Sequence, residues 1–428
     1  MMTHIAHHLR STFWAVLLFG NASVYACRIE VSLDSLPNTV LFLAGYYGER
    51  VLMIDSARSD DSGRAVFDGI PLPQGIYTLT APERFRCDFL LAEEQNLLIG
   101  RKDKRTSVSG NRQTEAYADY LLLVESRPER QQLDNYRETL IASYPGTLLA
   151  AYLSALQPVR PPPPEHPQPD ERTQMMYEYR YRRQHFFDRI DLSDTRLLHT
   201  PLYVETIRYY FSQFVTQQVD TLISTAYRLL CKAAGSCETC FFMMDFLDDY
   251  SLRTPVTGIE RLHRFLQPNR CMLSRKAVSM LPEKEKNLKF VLPEGENICK
   301  RLASVNYYGT DGKDFRFLQT EKCFRIFYYW DAACPRCLSD ADSWQRLMNR
   351  YHSGLCEGIA VHVRSPHPPN KLLAAAAANV YVSDFTGYER LFLTHGYAKT
   401  VLAGHDGEIL GIFGSMQALD TFLNQITR

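Results

Sequence analysis

Two cysteines separated by two residues, Cys334 and Cys337, are the residues of this sequence best suited to chemistry. They follow the apolar run FRIFYYW and precede a segment of helical periodicity, which predicts a strand entering the motif and a helix starting at it. A thiolate at a helix N-terminus faces free backbone N–H groups and the positive end of the helix dipole, so its pKa falls. The second cysteine lies on the same turn and can close a disulfide. The motif therefore predicts thiol–disulfide exchange.

The order of the two cysteines predicts their roles. We expect Cys334 to be the exposed attacking thiolate and Cys337 to be the more buried resolving thiol. Arg336 adds a nearby positive charge, while Trp330 and Pro335 shape the motif. The same spacing also occurs in structural or vestigial disulfides and in half of a metal site. The preceding strand and Trp330 favour the redox interpretation.

A second C-x-x-C, formed by Cys237 and Cys240, lies between predicted helices, with Cys231 and Cys271 nearby in the chain. Four cysteines in one region could bind zinc or form two structural disulfides, and an oxidising compartment favours the disulfides. Because no strand precedes this motif, we do not predict a second active site, and no metal site is predicted. The remaining isolated cysteines are expected to be small buried hydrophobic residues: Cys87, Cys299, Cys323 and Cys356.

The histidines of the last part of the chain show no ligand spacing and are expected at the surface or in loops: His352, His362, His367, His395 and His405. The sequence contains no glycine-rich phosphate loop, no Gly-x-Ser-x-Gly and no His-Glu-x-x-His. A hydrolase or a nucleotide-dependent enzyme is therefore disfavoured. No bound cofactor is predicted.

The charge balance and the N-terminus indicate an exported protein that does not bind nucleic acid. The charges of the 48 basic and 48 acidic residues of the 428-residue chain cancel. The chain therefore lacks the excess of positive charge that is typical of proteins that bind nucleic acid. Residues 1–26 have a basic residue, a short apolar core and small residues near their end, as an export signal does. Cys27 could be lipidated after cleavage, which would tether the protein to a membrane, or could simply follow an ordinary cleavage site. The predicted location is the periplasm, either free or membrane-anchored.

The periodicity of the sequence changes along the chain and predicts three domains. Residues 27–110 contain short strands separated by turn signals, which predicts a β-sandwich-like domain. Residues 111–284 have helical periodicity, interrupted by a proline-rich loop at 158–169. Residues 285–428 alternate strands and helices, with predicted helices including CLSDADSWQRLMNRY, the alanine-rich NKLLAAAAA and YERLFL. A hairpin follows at Asp406-Gly407.

Residues from about 295 to 428 resemble the exported thioredoxin-like proteins of the TlpA/ResA type. The resemblance rests on the pattern carried by Tyr329, Trp330, Cys334, Pro335 and Cys337. The whole chain resembles a Bacteroidetes architecture in which a β domain and a helical domain of unknown function precede the thioredoxin-like domain. This resemblance implies an α/β thioredoxin-like fold at the C-terminus and thiol–disulfide oxidoreductase activity. It also implies that the partners are cysteine-containing exported proteins or a redox partner protein.

One departure from the family concerns the cis-proline that faces the two cysteines. Counting back from the Asp406-Gly407 turn places that position near Ala398, and no proline follows Pro369. A cis peptide before a residue other than proline costs about 3 kcal/mol, so the trans form is expected. The departure implies slower exchange, an altered substrate groove or a retired active site. The last of these supports an alternative function, in which the thioredoxin-like fold has lost its redox activity and serves as a scaffold or binding protein.

Overall fold

The N-terminal strands form two four-stranded sheets around one shared core. The computed structural model describes residues 27–69, 71–102, 105–164, 170–286, 289–292, 306–315, 321–331, 335–351, 354–363, 372–382 and 399–427. The strands are β1 (Cys27–Leu33), β2 (Val40–Tyr47), β3 (Arg50–Arg58), β4 (Arg64–Gly69), β5 (Gly75–Ala81), β6 (Phe85–Leu91), β7 (Asn96–Lys102) and β8 (Arg105–Ser109).

The two N-terminal sheets have the strand orders β4-β1-β7-β8 and β3-β2-β5-β6. Alternate residues of β1 are buried, as a strand with one face on a core requires. Ile29 and Val31 of the first sheet share a core with Leu43 and Leu79 of the second. These eight strands therefore form a β-sandwich.

Helices occupy most of the middle of the chain. They are α1 (Arg112–Glu125), α2 (Arg130–Ser143), α3 (Leu148–Ala155), α4 (Glu171–His185), α5 (Thr195–Leu198), α6 (Leu202–Phe214), α7 (Val219–Ala233), α8 (Cys237–Arg253) and α9 (Glu260–Asn269). Helix α1 begins where the side chain of Asn111 accepts a hydrogen bond from the backbone N–H of Thr114, at 2.9 Å. Residues 158–164 of the proline-rich segment have no regular secondary structure, and residues 165–169 lie outside the described residues.

Over its described residues, the C-terminal part contains a nine-stranded sheet and four further helices. Its strands are β9 (Cys271–Leu273), β10 (Phe290–Val291), β11 (Tyr307–Gly309), β12 (Asp314–Phe315), β13 (Phe324–Trp330), β14 (Cys356–His362), β15 (Ala378–Val382), β16 (Lys399–Gly404) and β17 (Ile409–Phe413). The helices are α10 (Arg275–Ser279), α11 (Glu283–Lys286), α12 (Pro335–Tyr351) and α13 (Met416–Ile426).

The centre of this sheet has thioredoxin-like topology. The strand order is β10-β9-β17-β16-β13-β14-β15-β11-β12. Strand β13 pairs in parallel with β14 and antiparallel with β16, and β16 pairs antiparallel with β17. Helix α12 connects β13 to β14, and α13 follows β17. This order of strands and helices gives the C-terminal part of the chain a thioredoxin-like fold.

The predicted alanine-rich helix is not formed over its described part. Residues 372–377 contain a turn and β15 begins at the last alanine of the run. The side chain of Asn379 bonds both backbone groups of Leu373, and the backbone carbonyl of Ala374 accepts a hydrogen bond from Trp344 Nε1 at 3.1 Å. Ala375 has a φ of 59°. These tertiary hydrogen bonds hold the backbone in a turn and override the helix propensity of alanine. The predicted helix YERLFL lies outside the described residues.

The three parts of the chain share buried contacts. One core cluster includes Tyr47 of the sandwich, residues of helices α6 to α9, and Phe327 and Val361 of the C-terminal sheet. Strand β9 lies in the segment assigned to the helical domain, yet it pairs with β17 of the C-terminal sheet. The division at residue 284 remains a prediction.

Candidate functional site

Strand β13 and helix α12 place one of the two motif cysteines inside the protein. Trp330 ends β13, and Pro335 begins α12. Cys337 lies in the first turn of the helix with 2 % of its surface exposed. Cys334 and Ala398 lie outside the described residues, and the side chains of Pro335 and Arg336 are likewise not described. The burial of Cys337 is what a resolving thiol requires, since that thiol meets only the neighbouring sulfur.

Tyr328, which the sequence analysis did not identify, holds the first turn of α12 against the sheet. Its hydroxyl donates a hydrogen bond of 3.3 Å to the backbone carbonyl of Cys337. Its ring stacks on Trp344 of the same helix, with centroids 5.4 Å apart and planes inclined by 23°. Both rings are almost fully buried. Tyr328 therefore fixes the position and orientation, relative to the sheet, of the helical turn that carries Cys337.

A buried histidine lies beside the strand end that leads into the motif. Trp330 and His362 are partners in the register of β13 and β14, and their rings meet edge to face at 4.9 Å. Burial lowers the pKa of His362 below its ordinary value, and the neighbouring Asp331 opposes that shift. The backbone N–H of Val363 donates to the carbonyl of Trp330 at 2.9 Å. This end of the sheet therefore combines an indole, an imidazole and a carboxylate.

The expectation that the histidines lie at the surface or in loops is wrong for His362. Its exposed fraction is 6 %, because it ends a strand that is buried on both faces. His405 is exposed at the hairpin turn as expected. The remaining three lie outside the described residues: His352, His367 and His395. The continuous apolar run around His362, IAVHV, is the sequence signal that could have indicated its burial.

The second C-x-x-C lies within a helix. Ser236 caps α8, and Cys237 and Cys240 are buried in and just after its first turn. Cys231 is an exposed free thiol on α7, and Cys271 is a buried free thiol in β9. Burial raises the pKa of Cys271 to about 11. Within the described part of the chain, no three or more histidine, cysteine or acidic side chains are grouped to hold a metal ion.

Cys27, the predicted lipidation position, is the first residue of β1 and is buried in the sandwich core. Burial, with a contribution from Asp68, raises the pKa of its thiol to about 11. A lipid on Sγ would require this end of β1 to leave the core. None of the helices in the described ranges is both long and apolar enough to cross a bilayer.

No protein-family model and no curated protein matches the chain. Solved structures of thioredoxin-like proteins resemble less than a third of it. A thioredoxin-like protein from Aeropyrum pernix has 18 % identity and a TM-score of 0.23, and the match covers 30 % of this chain and 93 % of that one. A secreted disulfide oxidoreductase from Mycobacterium tuberculosis has 15 % identity and a TM-score of 0.23, over 29 % and 97 % of the two chains.

A third similar structure is the thioredoxin domain of a thiol-disulfide oxidoreductase from Bacteroides vulgatus. It has 11 % identity and a TM-score of 0.24, and the match covers 28 % of this chain and 92 % of that domain. Because these sequence identities and TM-scores are low, the thioredoxin-like fold of the C-terminal part is assigned from its own strand order.

Proposed function

We propose that the protein exchanges thiols and disulfides through Cys334 and Cys337. The observation that supports this proposal is the burial of Cys337 in the first turn of α12, directly after the central strand of a thioredoxin-like sheet. The cysteine three residues earlier in the chain then occupies the position of the attacking thiol.

The reaction proceeds in two exchange steps. The thiolate of Cys334 attacks one sulfur of a substrate disulfide, which forms a mixed disulfide and releases the other substrate sulfur as a thiolate. Cys337 then loses its proton and attacks Sγ of Cys334. The products are the Cys334–Cys337 disulfide and a reduced substrate, and the reverse sequence oxidises a dithiol. Arg336 and the helix N-terminus favour the thiolate of Cys334, and Trp330 and Pro335 shape the motif.

We further propose that the protein is exported and acts on cysteine-containing exported proteins or a redox partner, without a bound cofactor. The predicted signal at residues 1–26 supports export. Because Cys27 is buried, ordinary cleavage is favoured over attachment of a lipid to its sulfur.

Replacement of Cys334 by Ser tests the proposal. The wild-type protein should catalyse reduction of insulin disulfides by an external thiol, and Cys334→Ser should reduce this rate to the uncatalysed level. The matched control is Cys231→Ser, which removes an exposed thiol from α7 and should leave the rate unchanged. Activity that survives in Cys334→Ser contradicts the catalytic assignment.

The alternative is a redox-inactive scaffold, favoured by Ala398 in place of the expected proline. The reduction potential of the pair separates the two functions. A midpoint between about −120 and −270 mV, measured by alkylation and mass spectrometry in graded redox buffers, is typical of exchange proteins. A pair that remains oxidised below about −300 mV behaves as a structural disulfide, and function would then lie in binding.

A further inference from the structure

A second pair of cysteines lies at the opposite end of the two strands that flank the motif helix. Cys323 directly precedes β13, and Cys356 is the first residue of β14. In the parallel register Phe324 is the partner of Cys356, and the backbone N–H of Phe324 donates to the carbonyl of Leu355 at 3.0 Å. Cys323 is therefore a diagonal neighbour of Cys356. Both are free thiols in this structure.

The backbone spacing of this pair suits a disulfide. Paired strands lie about 4.8 Å apart and rise about 3.3 Å per residue, so a residue one step before Phe324 on the line of β13 would have its Cα atom about 5.8 Å from that of Cys356. Disulfides join residues whose Cα atoms are roughly 4.4 to 6.8 Å apart. Cys323 lies in a bend before the strand begins, so its side chain is not bound to the alternation of β13. The two sulfurs also interact electrostatically, since charge on Cys323 raises the pKa of Cys356.

The two thiols differ in their exposure. Cys323 is exposed, which corrects the expectation that it is a buried hydrophobic residue. Cys356 is completely buried in the core between α12 and the sheet, and burial raises its pKa to about 12. An incoming disulfide can reach only Cys323. Cys356 can then react only with a sulfur already bound within its reach.

We propose that Cys323 and Cys356 form a second dithiol site, which small disulfides such as oxidised glutathione convert to an internal disulfide. The thiolate of Cys323 attacks the glutathione disulfide, forms a mixed disulfide and releases one glutathione thiolate. Cys356 gives up its proton and attacks Sγ of Cys323, which releases the second glutathione. Two protein thiols are oxidised and one glutathione disulfide is reduced to two thiols, so atoms and electrons balance.

The location of this pair gives its oxidation a consequence for the neighbouring motif. Strand β13 has seven residues and separates Cys323 from the motif by about 23 Å along the strand. Direct exchange within one molecule is therefore excluded by distance. The disulfide would close a loop that contains β13 and α12, the elements that precede and follow Cys334 in the chain, and Cys337 lies in α12. Oxidation would tie these elements together at the end of the sheet away from the thiol motif.

Peptide mapping tests the proposal on the mature wild-type protein. The reduced protein is incubated with oxidised glutathione, denatured, alkylated and digested, and its peptides are identified by mass spectrometry. We expect a peptide pair that joins Cys323 to Cys356. Cys231 is an internal control, because it is an exposed thiol outside this pair and should carry glutathione or remain free. Glutathione on Cys323 together with an alkylated Cys356 would overturn the proposal.

Two variants separate the steps. Cys323→Ser changes an exposed side chain and should leave Cys356 fully alkylatable after denaturation. Cys356→Ala removes the resolving thiol, so Cys323 should retain glutathione. The same mapping in Cys334→Ser should still give the joined peptide, so its outcome is independent of the proposed activity of the motif. In the Cys334→Ser background, the oxidised protein should also melt at a higher temperature than the reduced form, and the double variant with Cys323→Ser should show no such difference.

Discussion

The imidazole of His362 is buried beside Trp330, at the end of β13 that leads to the thiol motif. The indole and imidazole meet edge to face, and the negative charge of Asp331 raises the pKa of His362 against the larger lowering by burial. Burial disfavours the charged imidazolium, so the neutral form is favoured in the folded protein. His362 is thus a titratable side chain whose protonation is coupled to folding.

Replacement of His362 by Gln should make the fold less sensitive to acid. Because the pKa of His362 in the folded protein lies below 6.5, the unfolded chain binds its proton at a higher pH than the folded chain does. Stability is therefore fully present above about pH 6.5 and is lost as the pH falls from there toward the lowered pKa. Urea unfolding measured on both sides of this pH should show a smaller loss for His362→Gln than for the wild type.

The matched control for this measurement is His405→Gln, which changes an exposed histidine at the hairpin turn. This variant should follow the wild-type pH dependence. If the free energy of unfolding depended on pH in the same way for His362→Gln and the wild type, protonation of His362 would make no contribution to the acid sensitivity of the fold.

At the scale of elements, helix α12 packs directly on the backbone of β14. A Cβ atom at Gly358 would lie 2.2 Å from Sδ of Met348 and 2.8 Å from the ring of Trp344. Both side chains belong to α12 and are almost fully buried. The absence of a side chain at Gly358 is therefore what lets the helix lie this close to the sheet. Its packing against β14 supports the α12 turn that carries Cys337.

Gly358→Ala should destabilise the protein by about 1–3 kcal/mol, as insertion of a methyl group into a packed core does. Thermal unfolding of the mature protein gives the measurement. Gly354→Ala is the control, since its Cβ would meet nothing within 4 Å. An equal effect of the two substitutions would contradict the close packing of α12 on β14.

The elements also show where sequence patterns succeed and fail. The strand at β1 and the strand-to-helix transition at Cys337 are local properties, and both were predicted from neighbouring residues alone. The alanine run was predicted as a helix because its propensity is local, but the turn that forms depends on Asn379 and on Trp344 of another element. Local sequence patterns therefore fail to predict the backbone conformation where side chains from other segments form hydrogen bonds with it.

At the scale of the whole molecule, a buried ionic network joins the helices to the thioredoxin-like part. Arg270, at the end of α9, is 1 % exposed and pairs with Asp245 and Asp248 of α8. Its backbone carbonyl accepts a hydrogen bond of 2.7 Å from Gly414, which follows β17. His263 also lies 2.6 Å from a carboxylate oxygen of Asp248. The guanidinium of Arg270 thus pairs with two acidic side chains of α8. Its backbone carbonyl links the end of α9 to the residue that follows β17.

Arg270→Met should destabilise the protein by about 3–5 kcal/mol, because two largely buried carboxylates lose their cationic partner. Chemical unfolding measures the change. Arg253→Met is the control, since its ion pair with Asp249 is exposed and should contribute no more than about 1 kcal/mol. If the two variants lose similar stability, the network does not hold the junction.

The amino-acid sequence alone determined seven of the eight N-terminal strands in outline, all except β8, together with the helical middle and the helix that carries Cys337 in its first turn. Each depends on periodicity or spacing within a few residues, where side-chain direction follows directly from the backbone. Only the tertiary structure decided the burial of His362, the joining of β9 to β17, and the approach of Cys323 to Cys356. These features require strand register and packing between segments far apart in the chain, which no local pattern specifies.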